Sequence, residues 1–179
     1  MNRTQLLLLV AALATRTIAA DEALQPGLIG RYYQMPGSLQ DFPTIPAGKK
    51  PDVERVDKDI NIASTLEALP GTKLVDNFYV CWTGVIRIPK DGSYTFYLES
   101  DDGSRLFIDG KQVVDNGGTH EMSEMPGRAK LKAGDHEIKV EFFDAEEDAG
   151  CIMSWEAPGQ TKSVVPAAVL FHKPTTHAP

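Results

Sequence analysis

Cysteine is nearly absent from this 179-residue chain: Cys81 and Cys151 are the whole complement. At most one disulfide can form, and residue parity argues against it. Cys151 shares a strand face with Met153 and Trp155, whereas Cys81 lies on the face opposite Trp82. Two unbridged thiols are the simpler reading. Positive charge is also scarce, with 18 basic against 25 acidic residues and a formal net charge of −7. Such a surface repels phosphate backbones and anionic headgroups, which excludes nucleic acid and membrane surfaces as natural partners. It suits sugars, divalent cations or basic proteins. Beyond the N-terminus no apolar run approaches the roughly 20 residues of a membrane-crossing helix. A nucleophile elbow, a phosphate loop, an HExxH string and a histidine-led triad are all missing, so the usual catalytic signatures are excluded.

What is present begins with an address. Arg3 precedes the apolar run Leu6 to Ala14, and the small residues Ala19 and Ala20 follow. This is the charged start, short apolar centre and small-residue cleavage site of a secretory signal at residues 1–20. The expected product is a secreted, periplasmic or cell-surface protein without membrane insertion, starting near Asp21. Removing the signal takes away Arg3 and Arg16 and no acid. The balance of 18 and 25 then becomes 16 and 25, and the charge −9. One domain over residues 21–171 and a Pro- and Thr-rich flexible tail over residues 172–179 account for the rest.

Almost every patterned segment alternates with the period of two that a half-buried strand requires. Phe78, Val80, Trp82, Gly84, Ile86 and Ile88 define one strand, stopped by the turn from Pro89 to Gly92. Tyr94, Phe96 and Leu98 define the next. Leu106 and Ile108 run into Asp109-Gly110, a strong hairpin signal. Ile138, Val140 and Phe142 define a further strand, Cys151 to Trp155 another, and Val164 to Phe171 closes the domain. From Gln34 to Gly71 the pattern is weak apart from Val53 and Val56, and Ile62 to Leu69 is expected as a helical turn or two. A polar loop is expected from Asn116 to Gly127. Short, regularly spaced strands with turn signals predict an all-β fold, an antiparallel β-sandwich or barrel with long rim loops.

Two adjacent carboxylates, Asp101 and Asp102, stand where the strand ending at Ser100 meets the one starting at Ser104. Like charges side by side are unfavourable unless water or a cation compensates them. A second acidic loop, Asp144 to Gly150, follows a strand of matching direction and is expected at the same end. Calcium takes about 6–8 oxygen ligands, and Asp101, Asp102 and a carboxylate from the second loop could begin such a shell. Neighbouring residues of a regular strand point to opposite faces, so convergence on one ion requires irregular backbone, for which a cis peptide would serve. Spacing alone favours a solvated Asp-Asp-Gly turn, a common use of these residues.

The string Ser100-Asp101-Asp102-Gly103-Ser104-Arg105-Leu106-Phe107-Ile108-Asp109-Gly110 resembles the core signature of the protective-antigen fourteen-kilodalton domain family, a lectin-like β-sandwich module. Further segments match in order: Gly27-Leu28-Ile29-Gly30-Arg31-Tyr32-Tyr33, Asn77-Phe78-Tyr79-Val80-Cys81-Trp82-Thr83-Gly84, Gly92-Ser93-Tyr94-Thr95-Phe96, Ala133-Gly134-Asp135-His136 and Trp155-Glu156-Ala157-Pro158-Gly159. The resemblance covers about Gly27 to Phe171. It implies that Asp101 and Asp102, joined by a cis peptide, hold calcium, and that vicinal hydroxyls of a terminal sugar complete the shell. In the family's sugar-binding members a second loop adds an Asn side chain. That position falls here on Asp144, a departure that adds a carboxylate and removes an amide.

The expected carbohydrate-binding residues are therefore Asp101, Asp102, Asp144, Asp148 and His120, with Asp101, Asp102 and Asp144 as metal ligands. His120 enters from the loop Asn116 to His120, read as a specificity wall, and Gly103 as the point where the chain turns away from the ion. Trp82 and Trp155 are assigned to packing, while Tyr79, Tyr97 and Phe143 either cover the sheet or stack on ligand. Glu99, Asp102 and Asp144 supply the carboxylates that glycoside hydrolysis needs, but an Asp pair held ionised by a cation is poor material for a general acid. The sequence thus points to a non-catalytic glycan-binding module using calcium. The alternative is a structural or protein-interaction module of the same fold.

Overall fold

Strand alternation carries directly into two sheets. The computed structural model describes residues 23–174, so the signal at residues 1–20 lies outside the described residues. Thirteen strands follow in order. The larger sheet holds β1 (Gln25–Pro26), β2 (Leu28–Gln34), β3 (Val53–Asp57), β5 (Phe78–Ile88), β7 (Ser104–Ile108), β8 (Lys111–Asn116), β10 (Gly134–Asp144) and β13 (Leu170–His172). The smaller holds β4 (Asn61–Thr65), β6 (Gly92–Asp101), β9 (Ser123–Leu131), β11 (Ala149–Glu156) and β12 (Ser163–Val164). All pairings are antiparallel. The chain is an antiparallel β-sandwich.

The inner faces close over one apolar core. Tyr94, Phe96 and Leu98 from β6 and Met153 and Trp155 from β11 meet Phe78, Val80 and Trp82 from β5 and Val140 and Phe142 from β10. Trp82 stacks on Phe142 at a centroid distance of 6.3 Å, and both tryptophans are packing residues, as expected. Cys151 lies in this core and Cys81 in a separate cluster on the outer face; both are free thiols. In that outer cluster Leu39, Phe42 and Ile45, from the loop after β2, cover Tyr33, Tyr79 and Phe143. Tyr79 and Phe143 are therefore buried beneath chain rather than offered to ligand.

β5 shares one edge between two strands: β2 pairs with Phe78 to Thr83, and β13 with Val85 and Ile86. Gly84 stands at the changeover. A Cβ there would lie 2.3 Å from the Phe171 carbonyl oxygen, so only glycine lets both strands reach β5.

Ile62 to Leu69 is not helical. β4 ends at Thr65, and Ile62 pairs with Cys151. Local sequence leaves this segment undecided, and the open edge of β11 decides it, a tertiary contact overriding weak propensity. The loop expected to reach Gly127 becomes strand β9 from Ser123. The closing segment is interrupted by a short 3₁₀ turn at Ala167–Val169. His172, taken as the first residue of the tail, is the last residue of β13 and lies 3.0 Å, through Nδ1, from the Gly27 carbonyl. Among the described residues no helix is long and apolar enough to cross a membrane.

Away from the acidic loops, both ring nitrogens of His136 face acceptors. Nδ1 lies 2.6 Å from Asp109 Oδ2, and Nε2 lies 2.9 Å from the Lys132 carbonyl. Only the imidazolium can donate to both. Burial lowers its pKa, but the Asp109 hydrogen bond, the Lys132 carbonyl and the Asp109 and Asp135 charges outweigh this and raise it. A histidine whose folded pKa exceeds its unfolded value stabilises fully below the unfolded value and loses that contribution as pH rises through the folded one. The melting-temperature gap between wild type and His136→Gln should therefore be widest below pH about 6.5 and narrow above it. A gap independent of pH would refute this latch.

Candidate functional site

β6 delivers Asp101 as its last residue, paired with Gly150 at the start of β11. The peptide to Asp102 is cis. Beneath the pair, Ser100 and Ser104 are fully buried and their hydroxyls lie 2.7 Å apart. Asn116 Nδ2 donates to Ser100 Oγ at 3.1 Å and to the Ser123 carbonyl at 2.9 Å. This polar pin ties the ends of β6, β7, β8 and β9 under the aspartates. Asn116, expected in a specificity wall, is buried and turns its amide inward to Ser100 and Ser123.

Asp102 is 6 % exposed and fully engaged. Its Oδ1 accepts the His120 N–H and its Oδ2 the Ala145 N–H, each at 2.8 Å. One carboxylate thereby clamps both rim loops. Gly103 has a different reason from the one expected of it. It is absent from the positive-φ positions, and a Cβ there would lie 2.4 Å from the Phe143 ring and 2.9 Å from the Gly118 carbonyl. Close packing, rather than a sharp turn, demands glycine.

Asp144 ends β10 and is fully buried, with no hydrogen-bond partner for either carboxylate oxygen. Burial, and then the charges of Asp102, Asp76 and Asp101, push its pKa up to about 8, against a smaller lowering by the Asn77 backbone N–H, which faces the carboxyl without closing a hydrogen bond of good geometry. Burial and the charges of Asp102 and Asp148 push Asp101 up to about 6. A carboxylate buried without partners is rare because desolvation costs several kcal/mol unless something compensates the charge. Asn77, at φ 54°, also buries its Oδ1 without a partner. Asn77 opens one of the segments that match in order, but its residue type alone assigns it no role.

Above these groups opens a cleft of about 380 Å³. Asp101, Asp102, His120 and Asp148 line it, together with Glu121, Met122, Glu146, Glu147 and Ser64. Four of the five expected binding residues thus share one cleft, and Asp144 is buried beside the aspartate pair. Glu121, Glu146 and Glu147 were not singled out in sequence, where they read as ordinary loop acids. The donor set suits a hard cation: carboxylate oxygens, two of them without other partners. Among the described residues no three His, Cys, Asp or Glu side chains stand in a ready metal cluster. Carbonyls, water or ligand hydroxyls would have to supply the remaining oxygens of a calcium shell.

The PA14 domain family matches residues 24–168. The anti-sigma-I factor RsgI3 of Acetivibrio thermocellus is 31% identical over 97 residues, 54% of this chain and 15% of that protein. A solved anti-sigma factor domain-containing protein superposes with a TM-score of 0.71 at 26% identity, over 86% of this chain and 50% of that one. The PA14 sugar-binding domain from an RTX adhesin superposes with a TM-score of 0.69 at 19% identity, over 82% of this chain and 98% of that one. The chain therefore spans 15% of the curated relative and half of the anti-sigma structure. A family match over residues 24–168, which includes the aspartate pair at the rim, establishes that this chain belongs to the PA14 domain family.

Proposed function

We propose that this chain is an exported, non-catalytic module that binds a carbohydrate through calcium at the cleft over Asp101 and Asp102. The observation that carries the reading is Asp144, a buried carboxylate without partners set against two further aspartates at an open rim. Asp101, Asp102 and Asp144 would hold the ion. Calcium would offer coordination positions to vicinal hydroxyls. Asp148 would meet the sugar's remaining hydroxyls, while His120, whose ring nitrogens lie 2.9 Å from the Glu121 carbonyl and 3.3 Å from the Asn116 carbonyl, would shape the wall beside it. The sugar-binding RTX adhesin domain of the same fold supports the assignment. Absence of catalytic signatures, and the clamping of Asp102 by two amides, favour binding over hydrolysis. A second reading, a protein-interaction module, draws on the anti-sigma relatives.

Calcium at a hundredfold excess over its Kd should stabilise the protein by about 2.7 kcal/mol, roughly 5–10 °C in melting temperature for a domain of this size. EDTA should reverse the shift, and a glycan array should respond only with calcium present. No calcium shift would overturn the metal site. A shift with an empty array would favour the protein-interaction reading.

A further inference from the structure

The cleft carries far more negative charge than one calcium ion can offset. Six of its lining residues are carboxylic acids: Asp101 and Asp102 at the base, Glu121 on one wall, and Glu146, Glu147 and Asp148 on the other. None is lysine or arginine, and His120 is the one basic side chain. A divalent cation leaves the site negative. Glu121, Glu146 and Glu147 are exposed residues of the cleft lining, so a ligand entering the cleft passes their charges.

We infer that the cleft is a charge filter: it accepts neutral glycans and those bearing free amino groups, and rejects uronic, sialylated or sulfated ones. The inference rests on the carbohydrate reading above and adds its ligand class. An anionic sugar could in principle place its own carboxylate on the calcium. Here that carboxylate would lie between walls of like charge, where each nearby pair is repulsive and no cation on the walls compensates. A sugar ammonium meets the same walls as an attractive field. The calcium ion then provides orientation through hydroxyls, and the wall carboxylates provide selection.

The test uses the full exported chain with saturating calcium, whose occupancy is read independently by the thermal shift. Matched oligosaccharides of a neutral hexose, its hexosamine and its uronic acid are titrated at low and high salt. The expected order of affinity is hexosamine, then hexose, then uronate, with the uronate weaker than the hexose by on the order of tenfold at low salt. The spread should narrow as ionic strength rises, because these walls are exposed. Glu146→Gln with Glu147→Gln should keep the calcium shift and lose most of the discrimination. Uronate binding as tight as the neutral sugar, or a spread indifferent to salt, would overturn the filter. An intact calcium shift with none of the three sugars bound would overturn the carbohydrate reading, and the filter with it.

Discussion

Asp144→Asn should raise the melting temperature of the calcium-free protein. The wild-type side chain is fully buried, neither oxygen has a partner, and its neighbours include the carboxylates of Asp101, Asp102 and Asp76. Ionising such a group costs both desolvation and repulsion, which is why its pKa stands at about 8. Asparagine is close to isosteric, carries no charge, and its amide can donate to the neighbouring carboxylates. A gain of about 1–3 kcal/mol in EDTA at neutral pH is expected, because an acid whose folded pKa is raised destabilises the fold at every pH above its unfolded pKa. With calcium the order should change. The amide oxygen still offers one ligand, but the carboxylate's charge is gone, so the calcium-induced shift should shrink without vanishing. A variant that melts below wild type in EDTA would show that Asp144 is a satisfied structural acid, and would remove the main support for the metal site.

Asp102→Ala should do the reverse. Asp102 lies beside Asp101 in sequence, but its oxygens hold the His120 and Ala145 amides. Truncation releases both rim loops and leaves amides without acceptors. Hydrogen bonds to charged groups contribute about 1.5–3 kcal/mol each, and relief of repulsion with Asp101 and Asp144 offsets part of their loss. The net expectation is a destabilisation of about 2–4 kcal/mol in EDTA, together with loss of the calcium response. Chemical denaturation in EDTA and in calcium measures both. If Asp102→Ala were as stable as wild type in EDTA, the clamp would be wrong. If it kept the full calcium shift, the ion would sit elsewhere. Opposite signs for Asp102 and Asp144 in the absence of calcium are the sharpest signature of this rim.

Much of the sandwich was legible because its long strands alternate cleanly. Tyr94, Phe96 and Leu98, or Ile138, Val140 and Phe142, need no neighbour to declare which face is apolar. The segments that misled were those whose structure is imposed from outside. Ile62 follows the edge of β11, and Ser123 to Gly127 follows β6. The network around Asp57 was also invisible. Its carboxylate accepts from Tyr32 at 2.6 Å and from Trp82 and Arg55 at 2.8 Å, and it needs Gly30, where a Cβ would lie 2.3 Å from Asp57 Oδ2. These groups are scattered along the chain and meet only once β2, β3 and β5 have paired.

By itself the sequence determined the long alternating strands, the all-β class and the presence of acids at the strand ends, because periodicity and turn chemistry are local; the choice of sandwich over barrel and the free state of Cys81 and Cys151 came with the tertiary structure. Only the tertiary structure decided what each acid does. Asp102 and Asp144 are the same residue type, both at strand ends, and no pattern distinguishes them. One became a clamp because two amides from distant loops reach it, the other a buried acid held protonated because the sandwich closes over it without supplying a well-aligned donor. Partners and burial are long-range properties, and they set the chemistry of this rim.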